Sequence, residues 1–135
     1  MAKSLTLLNL FKSRLKGSTQ EAGQLAEQAA LEHLEQHQLT LITRNWRCRG
    51  GELDLVMQEG DTVVFVEVRY RRDDRFGGAI ESVDARKRSR LILAAQKYLQ
   101  QHTRWQKHPC RFDVVALKSA STMPHVEWIK NAFDA

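Results

Sequence analysis

The stretch from residue 62 to 71, Thr-Val-Val-Phe-Val-Glu-Val-Arg-Tyr-Arg, constrains the fold more than any other part of the chain. In an extended strand successive side chains point to opposite faces, so Val64, Val66, Val68 and Tyr70 share one face while Val63, Phe65, Glu67 and Arg69 share the other. Both faces begin apolar. A strand of that kind belongs inside a sheet that is covered on both sides, and there a carboxylate such as Glu67 is expensive unless a partner offsets its desolvation.

The flanking sequence supplies the covering layers. Ser18 and Glu21 stand in capping-box spacing before an alanine-rich segment that predicts a helix over 19–37, with Gly23, Ala26 and Ala30 on one face for close approach to a sheet and Glu27 beside them. A first strand is predicted over 39–47 and ends at Arg49-Gly50-Gly51. Runs over 52–57 and 62–71 flank Gln58-Glu59-Gly60-Asp61, a hairpin signal. After a loop holding Gly77-Gly78, a long helix is predicted over 83–102 with Ser82 as its N-cap, followed by strands over 110–118 and 125–129. The order αβββαββ implies an α/β fold, a mixed sheet flanked by helices.

Parity bounds the hairpin register. In the second strand Leu53, Leu55 and Met57 take one face and Glu52, Asp54 and Val56 the other, so keeping the leucines beside Val64 and Val66 requires paired residue numbers with an odd sum. A sum of 119, with a two-residue loop at Glu59-Gly60, sets Glu52 opposite Glu67; a sum of 121, with a four-residue loop, sets Asp54 opposite Glu67. Either register gathers carboxylates on one face, where like charges repel unless a cation sits between them. Oxygen donors without a matched His or Cys set point to Mg²⁺ or Mn²⁺ rather than zinc. An ion-pair network in which Arg47, Arg69 or Arg71 neutralises the acids satisfies the same pattern.

Charge distribution supplies a second thread. In 135 residues, Lys and Arg outnumber Asp and Glu by 21 to 16, a formal net charge of +5 and the sign expected of a surface that meets phosphate. On the second helix Leu91, Ala94, Ala95, Tyr98 and His102 mark an apolar face that extends backward to Lys87, which therefore aims inward. Arg86, Arg88 and Arg90 crowd the same helix start, where an external anion would relieve their opposition to the macrodipole, although each also suits a solvated face.

Size and composition fit one soluble domain over residues 18–135, preceded by a basic amphipathic or flexible segment over 1–17. No apolar run approaches the ~18 to 20 residues of a membrane span, and no secretory cleavage site follows the first leucines, so a cytoplasmic protein is expected. Cys48 and Cys110 form no C-x-x-C motif. His33 and His37 lack the intervening Glu of a zinc-protease helix and read as a solvated pair, while Trp46, Trp105, Trp128 and Asp113 read as structural residues.

These residues combine into a recognisable set: Gly23-x-x-x-Glu27-x-x-Ala30, Arg44-Asn45-x-Arg47, Gly51-Glu52-Leu53-Asp54-Leu55-Val56, Val64-Phe65-Val66-Glu67-Val68-Arg69-Tyr70-Arg71, Lys87 before Ala94-Ala95 and Tyr98-Leu99, and Arg111-Phe112-Asp113-Val114-Val115. Over about residues 19–133 the chain resembles the YraN family of uncharacterised bacterial proteins, which is similar to archaeal Holliday junction resolvases and to the PD-(D/E)xK, restriction-endonuclease-like nucleases. The resemblance implies a restriction-endonuclease-like fold and a Mg²⁺- or Mn²⁺-dependent, structure-selective endonuclease acting on DNA, branched DNA included. It implies Asp54 and Glu67 as metal ligands, with Glu27 as the first-helix acid near the metal and Glu52 as a further acid of the motif. Asp54, Glu67, Arg69 and Lys87 would form the catalytic group. Arg44, Arg47, Arg69, Arg71, Arg86 and Lys87 would contact nucleic acid, and resolvase relatives suggest a homodimer. Arg69 stands where the nuclease signature carries lysine. Arginine stays protonated and cannot act as a general base, so either it stabilises charge or Lys87 supplies the lysine. The alternatives are a non-catalytic nucleic-acid-binding module and an interaction subunit of a DNA-processing complex.

Overall fold

The structure, a computed structural model, describes residues 19–71, 78–118 and 125–135. The 1–17 segment, the capping residue Ser18 and Gly77 of the predicted loop lie outside the described residues. Helix α1 (Thr19–Gln36) leads into strands β1 (Thr40–Cys48), β2 (Gly51–Glu59) and β3 (Thr62–Arg71), then helix α2 (Ala85–Gln101), a 3₁₀ turn at Thr103–Trp105, and strands β4 (Cys110–Lys118) and β5 (His125–Phe133). The five strands form one sheet in the order β1-β2-β3-β4-β5. Only β3 and β4 run parallel, and α2 makes the crossover between them. This is the expected αβββαββ, restriction-endonuclease-like arrangement of a mixed sheet between helices. No helix among the described residues is long and apolar enough to cross a membrane.

The doubly apolar strand β3 sits at the centre of the sheet, as its sequence requires. On one face Val64 and Val66 pack with Leu55, Met57, Val115 and Leu117 beneath Ala26, Ala29, Ala30 and Leu34 of α1. On the other, Val63 and Phe65 pack with Leu53, Val56 and Val114 beneath Leu91, Ala94, Ala95 and Tyr98 of α2. Gly23, expected to ease contact with the sheet, instead has open space around it; Ala26 and Ala30 make the close approach.

The hairpin register is the odd-sum one in which Leu55 pairs with Val66 and Gln58 with Val63. Extended by one step it brings Asp54 toward Glu67. The connecting loop is shorter than that register was expected to need, because Glu59 pairs with Thr62 and only Gly60 and Asp61 remain in the turn. Gly60 takes φ +59°, the positive value that a tight primed hairpin turn demands.

One expectation fails in an informative place. Leu53 and Leu55 do not share a face: Leu55 lies under α1, while Leu53 joins Val56 under α2. Neighbouring β1 is out of phase in the same way, with Arg44 paired to Leu55 on the α1 side and Trp46 paired to Leu53 on the α2 side. Between these pairs stand Asp54 and Asn45, whose φ of +54° is left-handed backbone that asparagine tolerates and that breaks strand alternation. The two ribbons are re-aimed together where the acid must be presented.

Helix α2 begins two residues later than predicted. Its N-cap is Asp84, whose Oδ1 accepts from the Lys87 backbone N–H at 2.9 Å; the Ser82 hydroxyl donates instead to the Ala79 carbonyl at 2.6 Å. Strand β5 runs on to Phe133, past the predicted end at 129, because Asp113 ties it down. The fully buried Asp113 carboxylate accepts from Arg111 Nε and Nη2, Trp128 Nε1 and the Asn131 backbone N–H at 2.9 to 3.1 Å, confirming its structural role. His33 and His37 pack their rings 4.5 Å apart with the edge of Trp128 against them, rather than forming a metal clamp.

Gly51 fixes how closely α2 approaches β2, since a Cβ there would lie 2.7 Å from the Arg90 carbonyl oxygen and 3.3 Å from Ala94 Cβ. Gly51→Ala is expected to destabilise the protein by about 1–3 kcal/mol through overpacking. Gly23→Ala, in open space within α1, should stabilise it by about 0.5–1 kcal/mol. Urea unfolding midpoints of the two variants check both signs.

Candidate active site

Backbone pairing between β2 and β3 runs from the turn to Leu55 and Val66. Two residues further along β3, at Val68, a side chain takes over from the ladder, because the Val68 N–H donates to Asp54 Oδ2 at 2.9 Å. The strands therefore part at the margin of the sheet with the Asp54 carboxyl placed between them. Glu67, on the α2 face and 4% exposed, stands within hydrogen-bonding contact of Asp54.

This proximity sets the electrostatics. Burial first, and the Glu67 charge second, push the Asp54 pKa from its ordinary 3.8 up to about 7; the Val68 N–H opposes the rise, and the Glu67 hydrogen bond and the Glu52 charge add to it. Asp54 therefore keeps its proton to higher pH than an ordinary carboxylate, as expected of an acid buried beside a second one.

Two cations converge on the other member of the pair. Arg69 Nη1 lies 3.4 Å and Lys87 Nζ 3.5 Å from the same Glu67 Oε2. Lys87 thus points inward from the first turn of α2, as its helical phase predicted. Its reach depends on the Asp84 cap that fixes the helix start and on the Gly51 contact that sets the helix height.

Glu27 is placed differently. It shares with Asp54 a cleft of about 840 Å³ on the α1 side, whose walls also include Arg44, Arg47, Glu52 and Tyr70 but not Glu67. Arg44 Nη2 and Nε donate to Glu27 Oε1 at 3.1 and 3.3 Å, and Arg44 Nη1 donates to Gln28 Oε1 at 2.9 Å, so this acid is neutralised by an arginine. Glu52 pairs with its cross-strand neighbour Arg47 at 3.3 Å, and both side chains are well exposed. Arg71 ends β3 and Arg86 is exposed in the first turn of α2; neither lines the cleft.

Among the described residues, no three His, Cys, Asp or Glu side chains stand together closely enough to enclose a metal ion. The donors present fit a looser mode, in which a hard ion takes two carboxylates, Asp54 and Glu67, and keeps several waters. Glu27 could join only after Arg44 released it.

Sequence reasoning missed three contributors. Gln28 fixes the Arg44 fork, Asn45 supplies the left-handed kink, and Tyr70 turns into the cleft rather than simply continuing an apolar face. The asparagine inside a β-rich run was the available signal for the kink.

Because Asp54 retains its proton in the folded state, folded protein binds more protons than unfolded chain between pH about 4 and 7. Metal-free stability is therefore expected to fall as pH rises through that window, by about 1.4 kcal/mol for each pH unit crossed, and to level off above it. Asp54→Asn should flatten the slope. Denaturant titrations in a chelator across the window measure it.

Residues 26–117 match the uncharacterised protein family UPF0102. A UPF0102 protein of Pseudomonas fluorescens is 58% identical over 122 residues, covering 90% of this chain and 99% of its own. One from Ectopseudomonas mendocina is 60% identical over 118 residues, covering 87% and 98%, and one from Pseudomonas aeruginosa is 56% identical over 120 residues, covering 87% and 96%. With a match across most of its length and relatives this similar, the chain belongs to the UPF0102 (YraN) family.

Proposed function

We propose that this protein is a divalent-metal-dependent endonuclease that hydrolyses phosphodiester bonds in DNA, with branched structures among its substrates. The observation that carries the reading is the buried Asp54–Glu67 pair where β2 and β3 part, with Asp54 opening onto the arginine-lined cleft and Glu67 held by Arg69 and Lys87 on the α2 side. A pair held at this cost to folding suits a site whose acids are meant to share a cation.

Asp54 and Glu67 would hold Mg²⁺ or Mn²⁺, which when bound would polarise the phosphodiester and lower the pKa of an attacking water. The remaining work falls to the chain's own groups. Arg69 stays protonated and serves as a charge stabiliser, since it cannot accept a proton. Lys87 reaches the same Glu67 oxygen from α2 and takes the position of the cationic partner that the strand no longer provides as lysine. Arg44 and Arg47 line the cleft where the flanking phosphates would lie, positioning the strand without reading bases.

A binding module that does not cut is the second reading, favoured by the ion pairs that already neutralise Glu27 and Glu67. Cleavage separates the two. Purified protein with Mn²⁺ is expected to nick four-way or flapped DNA. Asp54→Asn should reduce the rate at least about 10²-fold and Lys87→Met by about 10- to 10²-fold, with circular dichroism of both variants confirming that they fold. Salt-sensitive DNA binding with no metal-dependent nicking by the unmodified protein would establish the binding module instead.

A further inference from the structure

A second, smaller cleft of about 330 Å³ opens between the β1–β2 turn and α2, walled by Arg47, Gly50, Gly51, Glu52, Lys87 and Arg90. Three cations face one carboxylate there, and that carboxylate, Glu52, is already paired with Arg47. Arg47 and Glu52 also line the first cleft, so the two cavities meet at this exposed ion pair. They open toward opposite faces of the sheet, the first beneath α1 and the second beside α2. Lys87 connects the second cleft to the acidic pair through its contact with Glu67.

We propose that the smaller cleft is a second phosphate subsite and that the two clefts together hold one unpaired DNA strand, bent over the sheet margin across the Arg47–Glu52 pair. The proposal rests on the nucleic-acid reading of the first cleft and specifies which form of DNA enters it. The smaller cleft has room for one phosphate and its sugar. A duplex, with a persistence length of ~50 nm, does not turn from one face of a sheet to the other within a few nucleotides, whereas a single strand does. Proteins that hold single strands combine a cationic groove with an aromatic wall, and Tyr70 provides that wall in the first cleft. Arg47 is placed to exchange Glu52 for a phosphate, because an exposed ion pair of this kind is held by little net energy. Beyond the cleft, Arg86 lies one helical turn before Arg90 on the exposed side of α2 and continues the track.

Fluorescence anisotropy with a short single-stranded oligodeoxynucleotide and the blunt duplex of the same sequence, in a chelator so that nothing is cut, tests the proposal. The single strand is expected to bind about tenfold more tightly than the duplex. Arg90→Gln should remove most of that advantage and reduce the slope of log affinity against log salt by about 0.7, the value for one lost single-strand phosphate contact. The charge-matched variant Lys107→Gln, at an exposed position after the 3₁₀ turn, should change neither. Equal affinity for the two DNAs, or an Arg90→Gln slope no different from that of Lys107→Gln, overturns the proposal. Because no cleavage is involved, a protein that binds through Arg90 without ever cutting refutes only the nuclease reading. One that cuts without showing the Arg90 effect refutes only this subsite.

Discussion

Two carboxyl groups held together where two strands separate are the constraint on which the rest of this molecule depends. Asp54 replaces a ladder acceptor for the Val68 N–H, and the same displacement sets it against the buried Glu67. Burial alone makes each acid costly, and for Asp54 it outweighs the neighbouring charge. Together they also repel, and the fold answers with a raised Asp54 pKa and with Arg69 and Lys87 at one Glu67 oxygen. Features that look independent, such as the left-handed Asn45, the glycine under α2 and the Asp84 cap, all serve to place these charges.

The surrounding cations are arranged by a different logic. Arg44 is held in a fork between Glu27 and Gln28, whereas Arg47 is tied only to an exposed glutamate. The first is a built wall; the second is an exposed side chain at the junction of two clefts. Under the proposed function, one tied and one exposed arginine beside Asp54 would meet a polyanion through its backbone rather than its bases.

Much of this was legible in the sequence because it follows from period and parity. The apolar double face of β3 demanded a covered sheet, odd-sum parity left either Glu52 or Asp54 opposite Glu67, and helical phase aimed Lys87 inward. What was not legible depends on single backbone angles and on competition between neighbouring groups. Strict alternation put Leu53 and Leu55 on one face; they part at Asp54, opposite the left-handed Asn45 of β1. Two residues could cap α2, and the carboxylate of Asp84 won over the hydroxyl of Ser82. The pairing of Glu27 with Arg44 joins α1 to β1 across 17 positions, a distance at which no local pattern reports contact.

We propose that Asp54 and Glu67 face each other in order to share a hard cation. Anomalous diffraction from a crystal of this protein soaked in Mn²⁺ tests it most directly. The predicted result is a peak within coordination distance of an Asp54 oxygen and a Glu67 oxygen, with Lys87 and Arg69 displaced from Glu67. Mn²⁺ bound elsewhere, with Glu67 still locked to its two cations, would contradict it.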